Sequence, residues 1–424
     1  MSYALYSWKS RRLLVSRPTS TGYGSAVAEI LNGFYLAQYL DAAVCFLRPR
    51  RPLNFAIFEL QCEGVSVVPP RSLGAWYVAA WWHGSHAWPE LKSTARAFLL
   101  QKGKALLRRR DLSKTARGRI KRLMGRLQPA HAVPTLVEAA AASLEFRRLY
   151  VERPLRVDLP SRRIERARYE EIAIGLDPDQ PLVTVHVRES TFKRTLRLPE
   201  RPTDVMRNAS IDRYRAAIEY LLARGFQVVR IGDPMSTPIR WAGPFDLATS
   251  PARTELLELW CMKRSRFFIA SDSGPYMSAL LLGVPTLAVN VTALIGGDPL
   301  RPGDRYILKT AVDRTTGRAL TLDEMLTPEY LINFRASGRY EHLENSGDEI
   351  LEAVQEMTAV QVHEPPPTPA QAEFDRRLRA LAETCAVAEW RAAAGLSPRL
   401  FIGSGRIVDA FARRRFGSPL MATL

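Results

Sequence analysis

Cysteine is scarce in this chain and carries no pattern. Cys45, Cys62, Cys261 and Cys385 form no Cys-x-x-Cys pair and no metal-ligand spacing, so a disulfide framework and a structural zinc site are both disfavoured and the four read as reduced thiols. Histidine is as sparse, at six residues with no His-x-x-x-His. The one Asp-x-Asp, Asp177-Pro178-Asp179, precedes a predicted strand and falls on the wrong sheet edge for a ligand. Metal-independent chemistry without a cofactor is the expectation. Nothing from Met1 to Arg12 has the apolar run of a signal peptide, so a cytoplasmic protein is expected. The longest apolar stretch, Met277 to Gly297, is interrupted by Gly283, Pro285 and Asn290; it reads as helix, turn and buried strand rather than a membrane span. Acid is in deficit too: 43 Asp and Glu face 60 Lys and Arg, a net charge of +17. That balance points to an acidic partner, whether nucleic acid, an anionic membrane surface or a phosphorylated lipid, without choosing among them.

What is present lies mostly in the second half. Phe267-Phe268-Ile269-Ala270 is an apolar run followed by Ser271-Asp272-Ser273-Gly274-Pro275, a second apolar run from Tyr276 to Leu282, and then Gly283-Val284-Pro285. This predicts a buried strand, a small polar turn, a helix and another buried strand. Hydroxyls and free amides then collect at the carboxyl end of a strand, where an open parallel sheet binds its ligands. An ordinary N-capped strand-to-helix turn would look similar. Leu182 to Val187 is a second buried-strand run, delivering His186, Arg188 and Glu189 at its carboxyl end. Between the two, Asn208 or Ser210 can cap a helix reaching about Arg224, and Phe226 to Ile231 reads as a strand ending in Gly232-Asp233-Pro234.

The ordered set His186-Val187-Arg188-Glu189, Arg207-Asn208-Ala209 with Ile211 and Tyr214, Gly232-Asp233-Pro234, Ser271-Asp272-Ser273-Gly274 and Gly283-Val284-Pro285 resembles a family of bacterial glycosyltransferases. That family is similar to the fucosyltransferase-like and ADP-heptose-transferase groups of the GT-B fold. The resemblance spans about residues 180 to 360, with a weaker echo at 405–411. It implies an α/β protein with two facing Rossmann-like domains, and transfer of a sugar from a nucleotide-sugar donor in surface-polysaccharide or glycolipid synthesis.

With 424 residues and 46% hydrophobic content, the chain can bury the two cores that such a fold needs. An N-terminal α/β domain is expected over 1–160, with strands at 13–16, 42–47 and 65–68 and an amphipathic helix from Ser25 to Leu40. Arg162 to Arg168 reads as a linker, and a nucleotide-sugar-binding α/β domain follows over 170–360. The Pro-rich hinge near 363–369 opens a C-terminal part (361–424) with helices at 370–394 and 405–416, for which the resemblance implies a crossing back to the first domain. The segment 75–150 departs from this pattern. Residues 75–88 are dense in Trp, and Lys92 to Arg126 holds thirteen Lys and Arg against the single acid Asp111. Such a basic helical insertion suits an anionic membrane surface and a lipid-linked or saccharide acceptor, or equally a solvated helix pair; nucleic-acid binding is not expected.

A departing nucleoside diphosphate needs cations or aligned amides. Arg188 is the candidate cation, with a structural arginine as its alternative. Two residues earlier on the same strand face, His186 is either a ligand contact or a satisfied core residue, and Asp233 is a candidate at a further strand end. Ser271, Asp272, Ser273, Gly274 and Asn208 are expected on the donor side, and Gly22 and Gly24 offer amides from the first N-terminal loop. In the heptose-transferase group the general base is an acid in that loop, but Arg17 to Ser25 contains neither Asp nor Glu. Glu29, His83, His86 and Asp233 are then the base candidates. Two other readings compete. Gly22-Tyr23-Gly24 could open a dinucleotide fingerprint, though Val27 occupies its third glycine position. A non-catalytic sugar-nucleotide or polyanion-binding protein could use the same fold.

Overall fold

The computed structural model describes residues 2–8, 11–17, 23–47, 54–68, 149–195, 200, 202–292, 301–334, 338–360, 364–384 and 403–416. The basic and Trp-rich stretch at 75–126, including His83 and His86, lies outside the described residues, as do Gly22 and Cys385.

Near the N-terminus β1 (Ser2–Trp8) and β2 (Arg11–Arg17) pair antiparallel, and α1 (Tyr23–Tyr39) carries the chain to β3 (Ala43–Phe46), which runs parallel to β2. The strand expected at 65–68 is reduced to single bridges, Val67 to Val44 and Val65 to Cys62, because Gly64, at φ 74°, turns the chain back tightly. α1 was expected to show one polar face, yet Glu29 and Asn32 are buried along with Ala26, Ile30 and Phe34. The helix is enclosed on both sides, and its apolar residues share one core with Leu14 of β2 and with Phe268 and Leu280 far along the chain.

Gln61–Cys62 (β4) and Val157–Asp158 (β5) make a small antiparallel pair. Arg162 to Arg168, expected as a linker, instead lie within α2 (Ser161–Ala173). Arg163 there pairs with Glu59, and the buried Glu171 accepts the Trp260 indole N–H at 2.8 Å. Those anchors make α2 a packed element.

The main sheet contains β6 (Leu182–His186), β7 (Gln227–Ile231), β8 (Phe245–Asp246), β9 (Phe267–Ala270), β10 (Thr286–Val291) and β11 (Arg305–Leu308). After β11 the chain forms a separate antiparallel sheet of β12 (Thr310–Asp313), β13 (Arg318–Ala319) and β14 (Tyr340–Leu343), and it returns to the main sheet at β15 (Arg406–Ile407). The seven main strands are all parallel, in the order β15-β11-β10-β9-β6-β7-β8.

Strand alternation divides their side chains between two cores, as helices on both faces of a parallel sheet require. Leu182, Val229, Phe268 and Ala270 join the core shared with α1, while Val183, Val185, Val228, Phe267 and Ile269 face the second core. Helices Arg215–Ala223 (α3) and Gly347–Ala359 (α6) cover the second face, and Glu255–Arg264 (α4) and Tyr276–Leu281 (α5) cover the first. Ser210 accepts the Asp212 amide at the start of the 3₁₀ turn that leads into α3.

The segment 405–416, expected as one helix, splits into β15 and a short helix at 409–415. Among the described residues it does not return to the N-terminal sheet. Ile407 and Phe411 pack with Phe374 and Leu378 of α7 (Pro369–Thr384) in the second core, since the edge of β11 offers Arg406 and Ile407 a parallel partner.

Candidate functional site

Two adjacent strands send the chain in opposite directions. From β6 it runs outward to β7 and β8, and from β9 it runs the other way to β10 and β11. A crevice opens outside the carboxyl ends at such a reversal, and loops from both strands line it. Register fixes which residues these are. His186 is level with Ala270 on β9 and with Ile231 on β7, so Val187-Arg188, Ser271 to Gly274, and Gly232-Asp233 leave the sheet at one edge. Thr292 and Lys309 leave the same edge after β10 and β11.

Short hydrogen bonds tie these tips together. Ser271, only 1% exposed, accepts the Arg188 amide on its hydroxyl at 2.7 Å and donates its own amide to the His186 carbonyl at 3.2 Å. The hydroxyl expected on a ligand phosphate thus holds the Arg188 backbone through its oxygen, which leaves its own O–H as a donor. Ser273 Oγ lies 2.9 Å from His186 Nδ1. Asp272 accepts the Thr292 hydroxyl at 2.5 Å and faces an Arg207 guanidinium nitrogen at 3.8 Å, which makes it a brace between β9 and β10.

Arg188 reaches Asp204 at 3.2 Å, and Arg207 reaches the same carboxylate oxygen at 3.0 Å. Lys193 pairs with the second oxygen. Three cations thus surround one buried carboxylate. Burial first, and then the neighbouring Arg207, lower the Arg188 pKa, with Asp204 and Asp272 opposing them. Its Nε is buried and without a hydrogen-bond partner, an exception to the usual pairing of buried donors.

His186 is held neutral. Burial, then the positive charges of Arg188 and Arg230, push its pKa down to about 3. Although the ring keeps a little exposed surface, protein atoms and two guanidinium groups surround it. At neutral pH it serves as a hydrogen-bonding partner of Ser273 and not as a cation.

Other candidates are placed less centrally. Asp233 stands at the crevice edge and accepts the Met235 amide at 2.8 Å in its own turn. Glu189 turns away, its carboxylate accepting the Thr237 amide and hydroxyl, each at 2.9 Å. Asn208 donates to Ser190 Oγ at 2.6 Å, while its Oδ1 is buried without a partner. Glu29 is a buried residue of α1.

Gly24 was expected to offer its amide to a ligand. Instead a Cβ built on Gly274 would come within 2.6 Å of the Gly24 nitrogen, and one on Gly24 within 2.7 Å of the Gly274 Cα. The first turn of α1 meets the 271–275 turn backbone to backbone, and the Tyr23 and Ser278 hydroxyls lie 2.7 Å apart beside the contact.

Two residues of the site escaped the sequence reading. Asp204 sits in a single turn, Pro202–Val205, and gave no periodic signal. Lys309 ends the run Tyr306-Ile307-Leu308 as Arg188 ends Leu182 to Val187, so strand-tip charge could have found it. Among the described residues no group of three or more His, Cys, Asp and Glu could hold a metal ion, and no helix is long and apolar enough to cross a membrane.

No family model matches the chain, and no curated protein matches it. Among solved structures it is similar to a glycosyltransferase family 9 protein from Veillonella parvula DSM 2008, at 11% identity and TM-score 0.44 over 81% of this chain and 96% of that one. It is also similar to the E. coli ADP-heptose LPS heptosyltransferase II, at 13% identity and TM-score 0.41 over 81% of this chain and 98% of that one. A third is E. coli heptosyltransferase WaaC, at 11% identity and TM-score 0.29 over 70% and 92% of the respective chains. At such identities and TM-scores the site chemistry is read from this chain's own residues.

Proposed function

We propose that this protein is a metal-independent glycosyltransferase that moves a sugar from a nucleotide-sugar donor to an acceptor in surface-polysaccharide or glycolipid synthesis. The observation that carries the reading is the buried, unpartnered Nε of Arg188 at the carboxyl edge where β6 and β9 diverge. As the glycosidic bond to the donor breaks, negative charge grows on the departing diphosphate. A guanidinium anchored by Asp204, with an Nε that has no hydrogen-bond partner, supplies a charge-assisted donor for that charge. Arg207 and Lys193, gathered on the same carboxylate, make the edge electropositive. His186, neutral and hydrogen-bonded to Ser273, orients the turn that would lie beneath the diphosphate. Asp233 is the described carboxylate at this edge best able to take the acceptor proton.

Thermal-shift measurement with ADP, GDP, UDP and their sugar conjugates tests the reading. A ligand at a hundred times its dissociation constant should stabilise the fold by about 2.7 kcal/mol. The absence of a shift with every one of them would sink it. A non-catalytic sugar-nucleotide-binding protein is the second reading, favoured by the lack of any acid from Arg17 to Ser25. Binding without release of nucleoside diphosphate, across a panel of lipid-linked and saccharide acceptors, would select it. The basic segment at 92–126 fits an acceptor held at the anionic cytoplasmic membrane face. Neutralising Arg108, Arg109, Arg110, Arg119, Lys121 and Arg122 should release the protein from anionic vesicles and leave nucleotide binding intact; unchanged flotation would point to a soluble acceptor.

A further inference from the structure

Lys309 leaves the sheet at the carboxyl end of β11, its amide held by the Val291 carbonyl at 2.9 Å. The residue is 3% exposed. Among the described residues its ammonium makes one hydrogen bond, to the Asn208 carbonyl at 2.5 Å, and no ion pair. Burial lowers its pKa, and Glu344 and Asp272 raise it from beyond ion-pair distance. An ammonium carries three donors, and a buried cation with no carboxylate against it is unfavourable until it meets an anion.

The Asn208–Ala209 peptide connects Lys309 to Arg188. Its Asn208 carbonyl takes the Lys309 ammonium, and the Ala209 amide donates to the Arg188 carbonyl at 2.9 Å. Asn208 Oδ1 and Arg188 Nε are both buried without partners. The peptide's two backbone hydrogen bonds thus join two cationic residues, and the Asn208 side chain adds one neutral acceptor. An inorganic anion would satisfy the donors and leave the amide oxygen unpaired. A ligand carrying phosphate oxygens and a neighbouring hydroxyl satisfies all three.

We propose that Lys309 and Asn208, together with Arg188, bind the glycosyl-phosphate end of the donor. Lys309 and Arg188 contact diphosphate oxygens, and Asn208 Oδ1 accepts a sugar hydroxyl. This rests on the glycosyltransferase reading and sharpens it by assigning the subsite for the transferred group.

Calorimetric titration of wild type, Lys309→Met and Asn208→Ala with inorganic pyrophosphate, the three nucleoside diphosphates and their sugar conjugates tests the assignment. Lys309→Met should weaken diphosphate and pyrophosphate binding tenfold or more, while the ligand-free melting temperature stays equal or rises, since a buried cation has been removed. Asn208→Ala should weaken the sugar conjugate more than the nucleoside diphosphate that it contains. If Lys309→Met does not fold, Lys309→Gln makes the same measurement. Unchanged diphosphate affinity in the Lys309 variant, with or without a lower melting temperature, makes Lys309 structural and overturns the assignment alone. If wild type binds none of the probes, the glycosyltransferase reading falls and the assignment with it.

Discussion

Replacing His186 with asparagine should remove a specific part of the protein's acid sensitivity. The imidazole titrates at about 3 in the folded chain, against an ordinary value of 6.5, so the unfolded chain takes up a proton first as pH falls. The stability that this neutral imidazole contributes is therefore complete above pH 6.5 and is lost progressively between about 6.5 and 3. At about 1.36 kcal/mol per pH unit, lowering the pH from 7 to 5 should cost the wild type about 2 kcal/mol through this residue. His342, whose pKa burial lowers to about 4, adds a similar loss to wild type and variant alike, so it cancels in the difference between them. Urea unfolding of both proteins at the two pH values gives that difference directly. His186→Asn, which keeps an amide for Ser273, should lose about 2 kcal/mol less than wild type on acidification. Equal losses would mean that His186 protonates normally, and the neutral pairing with Ser273 would have to be abandoned.

Arg188→Ala should lower turnover by about a hundredfold or more, as removal of a charge-stabilising donor does elsewhere, and Arg188→Lys should recover little because one ammonium cannot hold Asp204 and a phosphate in a fork. A folded Arg188→Ala protein with wild-type turnover excludes Arg188 from the chemistry. Gly274→Ala would force a methyl to within 2.6 Å of the Gly24 nitrogen, an overpacking cost of about 1–3 kcal/mol that calorimetric melting would detect. An unchanged melting temperature would show that α1 and the 271–275 turn do not abut in solution.

Strands β6, β7, β9 and β10 of the main sheet were legible because each is a largely apolar run, rich in β-branched or aromatic residues, that is buried on both faces. Leu182 to His186 and Phe267 to Ala270 begin and end within a residue or two of where their hydrophobic patterns predict. Strands β11 and β15 were harder to read. Arg305 opens β11 although it is 1% exposed, because Glu356 at 3.0 Å and Glu364 at 2.7 Å neutralise it. Its strand-forming position depends on carboxylates more than fifty residues away, which no local pattern records. α2 was misjudged for a related reason: its Arg and Glu residues resemble a solvated linker until Glu171 is seen against Trp260 and Arg264.

By itself the sequence determined that two buried strands would each end in polar residues, and strand chemistry then required those ends to lie at a ligand-binding edge. That the two ends are neighbours, with His186 level with Ala270, is set by the pairing of β6 with β9. Only the tertiary structure decided which side chains remain available there. Ser271 holds the Arg188 amide, Asp272 the Thr292 hydroxyl, and Gly24 abuts Gly274, whereas Asn208 Oδ1 is buried without a hydrogen-bond partner and the Lys309 ammonium makes one hydrogen bond. Residue order sets which elements form, through hydrophobic periodicity acting over a few positions. Whether a polar atom is satisfied depends on distances of about 3 Å between segments a hundred residues apart, and only the packed chain sets those distances.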